Sequence, residues 1–286
     1  MRWRKGRRSA NIEDRRGMRM GGTGVKLGGG TLVVVMVVGL LLGQNPLQLL
    51  GMLSGEGGLG GSVSQAPTKQ SAQSNEDAEF VSVVLADTED TWNGVFSSFG
   101  QRYRPANLVL FTDQVQSACG MNTAATGPFY CPGDSKVYID LGFFNELKGL
   151  GAPGDFARAY VLGHEIGHHV QNLMGTADKV HQARQRSSRS QANALSVLME
   201  LQADCYAGVW AHHANKQRNL LEAGDVEEGL NAAAAIGDDR LLRRAGRSAS
   251  PESFTHGSSE QRVYWLRKGM QSGDIKTCNT FAQASR

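Results

Sequence analysis

The chain has 286 residues, 40% of them hydrophobic and 20% charged, with 36 glycines and four cysteines. That is enough for one sizeable domain with appendages. Nine of the 30 Lys/Arg and two of the 27 Asp/Glu fall within residues 1–30, so this stretch carries +7 and the remaining chain −4; a mildly acidic body excludes nucleic acid as its expected partner.

Residues 1–27 form a basic arm. After Lys26 no charged residue occurs until Glu56, and this window holds the apolar run TLVVVMVVGLLLG, residues 31–43. A basic flank followed by an apolar run is the pattern of an export signal. The run is short for a spanning helix of about 20 residues. However, the uncharged window continues through QNPLQLLGML without a small-x-small cleavage site. The expectation is an uncleaved, single-pass transmembrane signal anchor over 28–53 in the cytoplasmic membrane. The arm would stay in the cytoplasm and the body would face the periplasm or cell exterior. Residues 54–76, rich in Gly, Ser and Gln and without periodicity, read as a flexible linker.

The body, 77–286, opens on a helix over 77–98, where Phe80, Val81, Val84, Leu85, Trp92, Val95 and Phe96 recur at helical spacing. NLVLFTD (107–113) and KVYID (136–140) read as strands, the second as a core strand or an edge able to pair with an extended peptide. A helix over 155–174 starts after Pro153-Gly154 and stops at Gly175. Its internal Gly163 and Gly167 each cost about 1 kcal/mol, so close packing or a bound ion must want a thin face there. RQRSSRSQ (184–191) is a polar break before a helix over 192–215. DVEE (225–228) reads as a capping box opening another helix, and a last helix starts near Ser258 with Gln261 three residues on. The fold class is α+β: mostly helical with a small sheet.

All four cysteines lie in the body. An even number in an exported domain favours two disulfides, with three pairings available. Cys119 and Cys131 flank a short Gly-Pro-containing loop whose closure is worth about 3 kcal/mol, which leaves Cys205 with Cys278.

The chemistry centres on GHEIGHH, 163–169. His164 and His168, four apart, share one helix face and can both reach one zinc. Glu165, about 100° around the helix, would sit beside the ion as general base for a zinc-activated water. The HExxH spacing is that of zinc peptidases. The third ligand cannot follow the metzincin pattern, because Gln171 and Met174 stand where it needs Gly and His. Glu200, in MELQADCYAG, is the candidate instead, and Asp204 one turn on would accept the second ring N–H of a ligand histidine. His256, in a loop before the last helix, is a candidate donor to a tetrahedral oxyanion, with Arg262 a second. His169 reads as polar support or surface, and His181, His212 and His213 as surface.

GPFYCPGDSKVYIDLGFF (127–144), HEIGHHVQ (164–171), ELQADCYAG (200–208) and THGSSEQRV (255–263), with the arm, apolar run and Gly/Ser stretch ahead of them, resemble the bacterial neutral zinc metallopeptidases, membrane-anchored proteins of the glutamate-zincin type. The resemblance covers nearly the whole chain. It implies a zincin-like domain holding one Zn2+ through His164, His168 and Glu200, with Glu165 as base and a peptide or protein as substrate. The alternative class is a non-catalytic zinc-containing domain that binds a partner in the cell envelope. A catalytic zinc needs an open position and a base; a structural one has four closed ligands.

Overall fold

The computed structural model describes residues 1–18 and 70–283. The expected anchor, 28–53, and the expected linker up to residue 69 lie outside the described residues. Among the described residues no helix is long and apolar enough to cross a membrane.

Among the described residues six strands and eight α-helices follow one another. They are β1 (Ile12–Asp14), α1 (Ala72–Ser98), β2 (Asn107–Phe111), β3 (Gln114–Ser117), β4 (Gly120–Thr123), β5 (Phe129–Cys131), β6 (Lys136–Asp140), α2 (Phe143–Gly149), α3 (Asp155–Leu173), α4 (Thr176–Gln185), α5 (Arg189–Arg218), α6 (Asp225–Ala235), α7 (Asp238–Arg244) and α8 (Ser259–Ser272). This is the expected mostly helical α+β chain. One sheet has the order β1-β2-β6-β5, and β3 and β4 form a separate hairpin. Strands β1, β2 and β6 are parallel and β5 is antiparallel. Leu108, Val109, Leu110 and Phe111 are all buried, so NLVLF is a continuous apolar run because both faces of β2 are covered. KVYID is the inner strand β6, and β5 is the outer strand beside it.

The helices start and stop for local reasons. Ser71 caps α1, its Oγ accepting from the Ser74 N–H at 3.1 Å, so residues 72–76 belong to this helix and not to the linker. The polar stretch at 184–191 is mostly helical: only residues 186–188 separate α4 from α5, and Ser188 and Gln191 form a capping box at the start of α5. Ser258 and Gln261 form the expected box at α8. The expected box at DVEE is not formed. Gly224 occupies the N-cap of α6, and the Glu228 carboxylate instead accepts from the Phe156 N–H at 3.1 Å, in the first turn of α3. Glu228 therefore satisfies an orphan donor of a different helix.

The long helices α3 and α5 cross closely. A Cβ at Gly167 would stand 2.8 Å from the Ala203 carbonyl oxygen, and one at Gly163 would stand 2.8 Å from the Trp210 ring. Both glycines serve helix–helix contact, and through it they bring α5 up to the histidine face. Disulfides Cys119–Cys131 and Cys205–Cys278 are both formed. The first closes the loop ahead of β6, and the second ties the tail to α5.

The first residues differ most from the sequence reading. Residues 1–17 belong to the same compact unit as 70–283, rather than forming an arm separate from the body. Trp3 is 3% exposed, meets the Phe80 ring edge-on at 5.3 Å, and donates its indole N–H to Asp155 at 3.0 Å. The positive charges that suggested a free basic arm face carboxylates of α1 (Arg4 to Glu76, Arg7 to Glu89 and Asp90, Arg8 to Glu79) and of their own strand (Arg15 to Glu13, Arg16 to Asp14).

Because the α3–α5 contact leaves no room at Gly167, Gly167→Ala is expected to lower stability by about 1–3 kcal/mol from overpacking, despite the helix-propensity gain. Thermal unfolding of the purified variant checks this; an unchanged or raised midpoint would refute the packing role.

Candidate metal centre

Helix α3 presents His164 and His168 on one face, and α5 presents Glu200 opposite them. Glu200 Oε2 lies 3.1 Å from His164 Nε2 and Oε1 lies 3.4 Å from His168 Nε2. One donor atom from each of the three falls within 4.8 Å of the others, which makes this a group able to hold a metal ion.

Both imidazoles are fixed from behind. Asp204 Oδ1 is 2.8 Å from His164 Nδ1, and Gln171 Oε1 is 2.9 Å from His168 Nδ1. These oxygens accept, so each Nδ1 carries a proton, and each Nε2 is the ring atom directed at Glu200 and the one left for a metal. Gln171 is itself fully buried, and its amide donates to the Met199 carbonyl at 2.7 Å and to Gln202 at 3.1 Å. The residue that rules out the metzincin pattern in the sequence thus orients the second histidine.

Asp204 is completely buried and sits at the centre of a network. It accepts from Tyr160 Oη at 2.6 Å and from Arg262 Nε and Nη2, both at 2.9 Å. Arg262 Nη2 also donates to Tyr160 Oη at 3.1 Å. Burial opposes the charged form of Asp204, but Arg262 and His164 outweigh it and hold its carboxyl below the usual range. Burial likewise opposes a charged His164, yet Asp204 and Glu200 push its pKa up to about 10 in the protein alone. Glu200 is held well below its ordinary range because His168 and His164 overcome its burial.

Glu165 is buried, 7% exposed, and that burial raises its pKa against the pull of His164 and His168. It lines a cleft of about 640 Å³ together with His164, His168, Glu200, His256 and Arg262. The rest of the wall is largely apolar: Pro128, Phe129, Phe143, Leu150, Val161, Ile236 and Leu241. A second hollow of about 330 Å³ shares Tyr130, His168 and Glu200 with it and is lined by His181 and Arg184 on its far side. The metal group therefore lies where two recesses meet.

His256 stands at the rim, its side chain 53% exposed and its Nδ1 3.2 Å from Asp238 Oδ1. Asp238 also accepts the backbone N–H of Thr255, His256 and Gly257, which sets the loop. The hydrogen bond to Asp238 raises the His256 pKa against its burial.

His169 is not at the surface. It is 1% exposed and lies 2.6 Å from the Arg104 carbonyl through Nε2 and 3.1 Å from Tyr130 Oη through Nδ1. The carbonyl can only accept, so Nε2 carries the proton and Tyr130 donates to Nδ1. Burial lowers the His169 pKa and keeps it neutral. Tyr130, on strand β5, is thereby locked against α3. His212 and His213 are half-buried on carbonyls at the end of α8; of the three histidines expected at the surface, His181 is the exposed one. Sequence reasoning missed Tyr130, Tyr160 and Gln171. Tyr160 and Gln171 stand four before His164 and three after His168, spacings that mark neighbours on the ligand face of a helix.

The family model described as "Putative neutral zinc metallopeptidase" matches residues 1–281. An uncharacterised Escherichia coli K12 protein, YpfJ, is 47% identical over 293 aligned positions, covering 99% of this chain and all of the relative. An uncharacterised Mycobacterium tuberculosis protein, Rv2575, is 39% identical, with 72% of each chain covered. No solved structure matches. Built on the HExxH helix and the Glu200 helix, and matched by that model over almost its whole length, this chain belongs to the neutral zinc metallopeptidase family.

Proposed function

We propose that the chain is a zinc-dependent peptidase with a zincin-like domain, acting on peptide or protein substrates outside the cytoplasm. The observation that carries this reading is the convergence of two imidazoles and one carboxylate at the meeting of two recesses, with a buried glutamate in the same wall. Nitrogen donors with their second nitrogen engaged, plus one carboxylate, suit zinc. His164, His168 and Glu200 would hold the ion. Zinc bound there would supply Lewis acidity, bringing water toward a neutral pKa and polarising a carbonyl.

Glu165 takes a proton from the attacking water and delivers it to the leaving amine. Its raised pKa fits both halves of that task. His256, protonated through Asp238, donates to the oxyanion from the rim. Tyr160, Asp204 and Arg262 hold His164 in its tautomer. The apolar recess accepts a substrate side chain. The two disulfides support an oxidising compartment. A closed four-ligand structural site, as a non-catalytic envelope domain would need, has less support: the group has three members among the described residues and opens into the cleft.

Glu165→Gln is expected to keep bound zinc and lose at least about 100-fold in peptide cleavage, measured by metal analysis beside an extended-peptide assay. Cleavage that persists unchanged, or a parent that cleaves nothing, would contradict the enzyme reading. Glu200→Ala is expected to lose most of its zinc; full retention would remove it from the ligand set.

The protonated His256 donor is present below its raised pKa and lost above it. Asp238→Asn removes the main cause of that rise, so the alkaline limb of kcat/KM should move to lower pH. A limb that stays in place would exclude His256 as the titrating donor.

A further inference from the structure

We infer that residues 1–17 are a structural part of the peptidase unit, so that they and the 70–283 body lie on the same side of any membrane that the intervening segment meets. Strand β1 is parallel to β2 in a fixed register, Ile12 opposite Leu108, Glu13 opposite Val109 and Asp14 opposite Leu110. The Leu108 N–H donates to the Asn11 carbonyl at 2.8 Å and the Arg15 N–H to the Leu110 carbonyl at 2.8 Å. β1, α1 and β2 thus form a parallel β-α-β unit, which requires its first strand to be on the spot.

The second observation is Glu89, a carboxylate of α1 that is 4% exposed. Among the described residues its hydrogen bonds come from the N-terminal segment: Arg7 Nη2 at 2.8 Å, Ser9 Oγ at 2.5 Å and Asn11 Nδ2 at 2.8 Å. A buried carboxylate without such partners is strongly unfavourable. The body is therefore built to receive this segment.

The third is charge. Here Arg4, Arg7 and Arg8 face carboxylates of α1 and are matched within the fold. A single crossing between residues 18 and 69 would hold β1 and β2 on opposite faces, leave Glu89 without its partners and take Trp3 out of the core. The structure therefore assigns both ends of that segment to one side.

The test is two exposed positions replaced singly by cysteine in the full chain, Lys5→Cys and Lys216→Cys, in a host whose envelope is opened to spheroplasts. The four native cysteines are in disulfides, and the parent chain serves as the unlabelled control. A membrane-impermeant maleimide should label both positions to the same extent. If both are labelled before lysis, the inference and the location outside the cytoplasm stand together. If both are labelled only after lysis, the inference stands and the proposed location falls. If one is labelled before lysis and the other only after, the inference is overturned. With the purified chain, Trp3→Ala should lower the unfolding midpoint by about 5–10 °C; an unchanged midpoint would overturn it as well.

Discussion

The close crossing of α3 and α5 is the constraint on which the rest depends. An isolated HExxH helix offers two imidazoles and a carboxylate pointing elsewhere. It becomes a three-donor group only when Glu200 is brought within reach, and the approach of the Ala203 backbone to Gly167 makes that distance attainable. The two glycines are costly to a helix taken alone, and the site is obtained from that cost. The Cys205–Cys278 disulfide anchors the same stretch of α5, one residue beyond Asp204.

Behind the three donor residues, the interior is charged. Asp204 and Arg262 are buried together with Tyr160 and His164, with every polar atom of the carboxylate engaged. Breaking one side of such a pair costs about 3–5 kcal/mol, so the network is sensitive to any loss. What it supplies is orientation: His164 cannot rotate without giving up the bond to Asp204, and Gln171 restrains His168 in the same way. A centre held this stiffly needs little reorganisation when charge develops beside it. The walls of the two recesses differ in character, apolar around Val161 and Ile236 and polar around His181 and Arg184.

How much of this was legible in the sequence depended on the range of the interaction. Periodicities of four residues placed His164 with His168 and Glu200 with Asp204, and single caps such as Ser258 with Gln261 could be read directly, because each involves neighbours on one helix. Contacts between elements were not legible. Glu228 looked like the partner of Asp225, yet it caps α3, 72 residues away in sequence. Gln171 entered only as a missing glycine, because nothing local says that its amide will be held by Met199 and Gln202. His169 looked peripheral until strand β5 covered it with Tyr130. The basic arm gave the clearest misreading: its arginines resemble a free flank in a linear chain, and only the fold places the carboxylates of α1 against them.

The account rests on one zinc held by a helix pair and open to the cleft. Zinc K-edge absorption spectroscopy on the purified, zinc-loaded chain tests it most directly. The account predicts a first shell of two imidazole nitrogens and carboxylate or water oxygens, with one imidazole lost in His168→Ala. A shell containing sulfur, a closed set of four protein ligands, or a spectrum unchanged by His168→Ala would contradict it.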